Sequence, residues 1–229
     1  MIATRRFVFL HLHKSGGTFV NQWLLRHFRD ARQIGYHLPR RLIPAELAHL
    51  PVLGLVRNPW SYYVSWYTFQ SGMSRPNPLF HILSDGGKLG FLGTMRNMVE
   101  LGNEERYLDR IVAVLPSSYG RNGLNLPGAE LARIRDTGSG FYSFLHAYMY
   151  GEGPASLARM EHMREELPPL LRDLGENLGE EALTDLKAAS PVNATAHRPY
   201  AEYYDSSLRD LVARRDSVVI ERHGYQFGH

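Results

Sequence analysis

The 229-residue sequence contains no cysteine. That excludes a disulfide framework, a cysteine-ligated zinc and a thiol nucleophile. Lysine is nearly absent as well: Lys14, Lys88 and Lys187 are the whole supply, so arginine carries almost all of the positive charge. No apolar run approaches the roughly 18 residues that a crossing helix needs, which predicts no membrane span. The net charge is +3, a mild basic excess, but there is no basic tract, RGG repeat or zinc-finger spacing, which argues against nucleic acid as a partner. Internal repeats and low-complexity tracts are also missing. The opening MIATRRFVFLHLHKSGG sets two arginines before a short apolar run, as a secretory leader would. His11, His13 and Lys14 break that run and no small-residue cleavage site follows, so it reads as a buried strand of a cytoplasmic protein.

What is present is a chain long enough for one domain with a real core. Residues 6–11 form a compact apolar run that leads into a glycine-bearing turn, and FVNQWLLRHF then places apolar side chains at helical spacing from Thr18 onward. Residues 52–57 (VLGLVR) repeat the pattern, ending at Asn58-Pro59, with Pro59 suited to the first turn of the helix WSYYVSWYTF. Two strand–loop–helix units predict an α/β fold built on a central parallel sheet flanked by helices, in a single domain over 1–229. Residues 71–90, rich in Gly, Pro and Ser, read as a surface excursion of the kind that forms lids. Residues 91–115 and 128–150 are predicted helical, 155–161 a third strand before the helix HMREELPPLLRDLG, and 200–229 a helical ending. The aromatic residues Phe141, Tyr142, Phe144, Tyr148 and Tyr150 read as core.

Two segments carry chemistry. In His11-Leu12-His13-Lys14-Ser15-Gly16-Gly17-Thr18, the glycines let backbone N–H groups approach an anion and the following helix aims its positive end at the same place. Lys14 adds a charge, and Ser15 and Thr18 add hydroxyls. This is a cradle for a phosphate-like group, although GxxxxGK[ST] is absent and the lysine precedes the glycines. In the second segment, Arg57 leaves the carboxyl end of a strand, where open α/β sheets bind ligands, and Ser65 lies about two turns into the next helix. Together they could hold one phosphate from two sides.

These segments resemble a family. HLHKSGGT is similar to the 5′-phosphosulfate loop of sulfotransferases that use 3′-phosphoadenosine 5′-phosphosulfate (PAPS), in the HIPKTGGT form of carbohydrate and bacterial members. VRNPxxxxxSxY resembles the 3′-phosphate motif RDPxxRxxSxY of the same family, in the right order and at the right spacing. ARMEHMREEL and the ending HRPYAEYYDSSLRDLVARRDSVVIERHGYQF also look like bacterial members. The specific motifs lie within about residues 7–67. His13 replaces the usual Pro, Ser15 replaces Thr, and Tyr62 stands where a second Arg is common.

The resemblance implies a P-loop-like fold and transfer of a sulfuryl group from PAPS to a hydroxyl, or an amine, of a saccharide, lipid or small metabolite. PAP (3′-phosphoadenosine 5′-phosphate) is left as product, and no metal is required. It assigns Lys14, Ser15, Gly16, Gly17 and Thr18 to the 5′ side of the donor and Arg57 and Ser65 to the 3′-phosphate; Arg198, in the HRPY segment, is the candidate to compensate for the missing arginine. His37, in the connection where some members carry their catalytic histidine, is the favoured general base. His13, His11 and the carboxylate of Glu161 remain alternatives. Arg40, Arg41, Arg75 and His81 fall where an acceptor would be met. Two other readings stay open: a P-loop-type kinase, which would want a Walker lysine after the glycines, and a non-catalytic module that binds a phosphorylated partner.

Overall fold

The chain begins with a tight hairpin. Thr4 closes it, donating its N–H to Phe7 O at 3.0 Å while its hydroxyl oxygen accepts the Phe7 N–H at 3.1 Å, and Arg5 and Arg6 stand exposed at the tip. In this computed structural model, which describes residues 1–120, 125–188 and 198–228, the first half runs β1 (Ile2–Ala3), β2 (Val8–Leu10), α1 (Gly17–His27), β3 (Arg32–Gln33), β4 (Val52–Val56), α2 (Pro59–Ser71), α3 (Pro78–Leu83), α4 (Phe91–Val99) and α5 (Glu105–Val114). There follow α6 (Gly128–Leu131), α7 (Phe141–Tyr150), β5 (Ala155–Arg159), α8 (Met163–Asp173), α9 (Glu180–Ala188), α10 (Ser206–Arg215) and α11 (Ser217–His223). The chain groups into two compact units, one from the described parts of 1–57, 120–125 and 146–194, the other from those of 58–119, 126–145 and 195–229. No helix among the described residues is long and apolar enough to cross a membrane.

The first unit is an α/β layer with one five-stranded sheet in the order β3-β1-β2-β4-β5. The expected central parallel sheet is present in β2, β4 and β5, but the sheet as a whole is mixed. β2 pairs with β4, and β4 with β5, in parallel, but β1 runs antiparallel to both of its neighbours. The reason is the Thr4–Phe7 turn, which folds Ile2–Ala3 back beside β2. Ile2, Phe9, Leu53, Leu55 and Ala158 share one face and pack with Val20, Trp23 and Leu24 of α1, Leu167 and Leu171 of α8, and Ala182 and Leu186 of α9. α9 is held to α1 by Trp23 Nε1–H donating to Ala182 O at 3.1 Å and by His27 Nε2 against Asp185 at 2.8 Å. On the other face Gly54 leaves room for Tyr150, since a Cβ there would lie 2.4 Å from its Cε1. The Tyr150 hydroxyl accepts the Leu55 N–H at 3.1 Å and donates to Leu55 O at 2.6 Å, satisfying both backbone groups of that residue.

The segments predicted helical are interrupted. The 91–115 stretch divides into α4 and α5. The 128–150 stretch divides into α6, a 3-10 turn over Ala132–Asp136 and α7, with Gly138 at φ +65° between them. The 71–90 excursion contains α3, which Asn77 caps by accepting the Phe80 N–H at 2.8 Å and which Pro78 opens, burying Leu79, Phe80, Ile82 and Leu83. The helical ending divides at Asp216. Its buried carboxylate, pushed up to about 6 by burial, accepts from the Tyr63 hydroxyl and from the Ser143 N–H, each at 2.8 Å. Phe141, Tyr142, Phe144 and Tyr150 are buried, as the core reading expects, whereas Tyr148 is only half-buried.

Tyr150→Phe leaves the buried Leu55 N–H and C=O without their partner, so the variant is expected to lose about 1–3 kcal/mol. A urea unfolding midpoint measured beside the wild type checks this. An unchanged midpoint would mean that the hydroxyl does not bear on the sheet.

Candidate functional site

Because β1 is antiparallel to both β2 and β3, those two strands run the same way, and so do β4 and β5. The chain therefore leaves four strands at one edge of the sheet, the carboxyl edge at which open α/β sheets take ligands. His11 to Gly16 leave β2, Tyr36 and His37 follow β3, Arg57 follows β4, and Met160 follows β5.

The loop after β2 is a tight one. Lys14 has φ +54° and Gly16 has φ +79°, so the chain turns left-handed twice before α1 begins at Gly17. Gly17 is required by its neighbour: a Cβ there would stand 2.1 Å from Cδ2 of His11. The His11 ring is set by Asn21 of α1, whose Nδ2 donates to His11 Nδ1 at 3.1 Å. Helix α1 thus opens with its first N–H groups and positive dipole end against the Lys14 loop. The hydroxyls do not act alike. Ser15 is fully buried and donates to His13 O at 3.2 Å, while Thr18 shares a 3.1 Å hydrogen bond with the Tyr36 hydroxyl.

Arg57 is 8% exposed, and its Nη1 donates to the carbonyl of Lys14 at 2.8 Å. Burial, and then the Arg57 charge, lower the Lys14 ammonium from 10.5 to about 8. The Arg57 guanidinium is thus bonded to the Lys14 backbone and near enough to the ammonium to disfavour its charge.

Beside them three histidine rings gather. His37 stacks on His13 with ring centres 3.7 Å apart and lies 4.1 Å from His11. The bond that places it runs from His37 Nδ1–H to the carbonyl of His11 at 2.7 Å. A carbonyl can only accept, so Nδ1 carries the proton and the neutral ring presents Nε2 as its basic nitrogen. Burial lowers His37 from 6.5 to about 4, against the opposing effect of that hydrogen bond. Burial, followed by the nearness of His37, holds His11 well below its ordinary value. His37 also adopts φ +51°. Among the described residues, Lys14, His37 and Asn125 are three of the four non-glycine residues with positive φ, and all belong to this unit. Such conformations persist where the surroundings impose them.

The sequence-derived residues therefore divide. Lys14, Ser15, Gly16, Gly17, Thr18, His37 and Arg57, with His11 and His13, belong to the first unit; Ser65 and Arg198 belong to the second. Ser65 is buried in α2, and Arg198 lies 3.6 Å from Glu202 and over the ring of Tyr203. Tyr62, at the position of the missing arginine, is core, with its ring 4.3 Å from that of Tyr142. Glu161 is exposed after β5. Arg40 donates to Pro154 O at 2.9 Å and Arg41 lies over Tyr148. Among the described residues no group of three His, Asp or Glu side chains is arranged to hold a metal ion. A separate hollow of about 430 Å³, lined by Arg5, Asp30, Arg32 and His49 among others, contains none of these groups. The reading of the sequence passed over Tyr36 and Asn125, whose parts depend on contacts between distant segments. No family model matches the chain, and no characterised protein matches its sequence.

The low value of His37 has a consequence for stability. Its folded value of about 4 lies below the unfolded 6.5. The neutral ring therefore contributes fully above pH 6.5, and that contribution is lost as the pH falls toward 4. His37→Asn retains tolerance of positive φ and removes the titration. Between pH 7 and 4.5 the wild type is expected to lose stability faster than this variant, by on the order of 2 kcal/mol across the range. Parallel acid limbs in urea titrations of the two proteins would contradict the assignment.

Proposed function

We propose that the chain is a PAPS-dependent sulfotransferase with a P-loop-like α/β fold, acting on a hydroxyl of a saccharide, lipid or small metabolite. The observation that carries this reading is the desolvated pair Lys14 and Arg57 at the mouth of the glycine turn. A partly buried ammonium and a buried guanidinium close to a helix N-terminus fit an anionic ligand, which would favour the charged form of Lys14. The HLHKSGGT and RNPxxxxxSxY motifs narrow that anion to a PAPS-like donor. Assigning Arg57 and Ser65 to the 3′-phosphate, and Arg198 to their support, rests on the motif alone.

PAPS supplies an activated sulfuryl group on a phosphate leaving group. In-line transfer of this kind is governed by positioning and charge stabilisation, as in phosphoryl transfer. The Lys14 ammonium and the first N–H groups of α1 stabilise negative charge developing on the leaving phosphate. His37 Nε2 accepts the acceptor's proton, and the His11 carbonyl holds Nδ1–H, so the imidazolium that results keeps its hydrogen bond. A ring held at about 4 is a weak base at neutral pH, and negative charge arriving beside it raises its basicity. His11 serves as support: its ring packs over Gly17 and its carbonyl orients His37. Ser15, bonded to His13 O, shapes the loop.

A thermal-shift comparison of PAP with ATP plus magnesium tests the reading. PAP at a hundred times its dissociation constant is expected to stabilise by about 2.7 kcal/mol, with ATP well below it. Lys14→Ala is expected to abolish most of the PAP shift and to lower transfer about a hundredfold. His37→Asn is expected to keep the PAP shift and lose transfer. Stabilisation by ATP and magnesium alone would favour a kinase. PAP binding that is indifferent to Lys14 would remove the mechanism.

A further inference from the structure

Asn125 reaches the candidate base from far along the chain. It is buried and holds φ +48°, a conformation that asparagine tolerates better than most residues. Its Oδ1 accepts the Gly120 N–H at 2.8 Å. Its Nδ2 spends both protons, one on Gly120 O at 3.0 Å and the other on Tyr36 O at 2.5 Å. Its own carbonyl accepts the hydroxyl of Tyr148 at 2.7 Å. The side chain is engaged at both ends and the backbone is pinned.

The bond to Tyr36 O is the consequential one. That oxygen belongs to the peptide group joining Tyr36 to His37, so fixing it fixes the plane from which φ of His37 is measured. His37 stands at φ +51°, a costly position that a free loop would leave. Two hydrogen bonds over-determine it, Asn125 to the peptide on the amino side and His37 Nδ1–H to His11 O through the ring. The Tyr36 side chain extends the brace, with its ring centre 4.2 Å from that of His37 and its hydroxyl on Thr18.

We infer that Asn125 is a positioning residue that holds His37 with Nδ1–H on the His11 carbonyl and Nε2 available to take a proton; its catalytic meaning rests on the role proposed above for His37. Asn125 fits the task through its two donors on one nitrogen and its tolerance of positive φ. Aspartate keeps the shape and offers no donor.

The test is nitrogen NMR of the histidine rings in the full chain at pH 7, for wild type, Asn125→Asp and Asn125→Gly. Both replacements tolerate positive φ, and the isosteric aspartate is the variant that retains the fold if glycine loosens it. In the wild type His37 is expected as a single neutral tautomer protonated on Nδ1. In both variants it is expected to become a mixture with a large Nε2–H fraction, while PAP affinity stays within about twofold of the wild type. A role confined to bonding Asn125 to Gly120 would lower the melting temperature and leave the tautomer untouched, and that result overturns the inference. Failure of the wild type to bind PAP would instead strike the sulfotransferase reading, because the tautomer is read without any ligand.

Discussion

The hydrogen bond from His37 Nδ1 to the carbonyl of His11 joins the chain leaving β3 to the chain leaving β2, and the candidate site is organised around it. It can form only because those two strands run in the same direction, and they do so only because β1 is turned back between them. A short hairpin closed by Thr4 is thus the remote condition for the position of His37. β4 and β5, parallel to β2, bring Arg57 and Met160 to the same edge. Met160 packs close enough that a Cβ on Gly16 would lie 3.2 Å from its Cγ, so the turn is closed on that side by an apolar wall.

Within this frame the site departs from what favours stability alone. Lys14, His37 and Asn125 hold left-handed backbone, His11 and His37 are buried neutral, and the Lys14 charge is desolvated beside Arg57. Each of these is unfavourable, and the sheet, the apolar face against α1, α8 and α9, and the Tyr150 bridge to Leu55 offset them. Costs gathered in one place argue for preorganisation toward a ligand, since charge and strain scattered at random would not share one loop cluster.

What the sequence disclosed follows the range of each interaction. The turn from β2 into α1 was legible because its glycines, lysine and helix lie within a few residues, and Arg57 because it closes an unbroken apolar strand. The Asn77-Pro78 start of α3 was there to be read as well, masked by the surrounding Gly and Pro. β1 and β3 were not legible: strands of two residues have no period to detect, and their pairing is set by tertiary contact. Asn125 could not be found from sequence, since its effect is exerted on Tyr36, 89 residues away. Ser15 shows the opposite limit, where a hydroxyl that the sequence offers to an anion turns inward to a backbone carbonyl.

In the proposed function Lys14 is a partly buried cation whose charge the donor's anionic groups would favour. The most direct test of that role is an NMR titration of the Lys14 side-chain ammonium, alone and with saturating PAP. The free protein should titrate near 8, because burial and Arg57 disfavour the charge, and bound PAP should move the midpoint upward by a unit or more. A lysine that titrates near its ordinary 10.5 in the free protein, or a midpoint that PAP leaves in place, would contradict it.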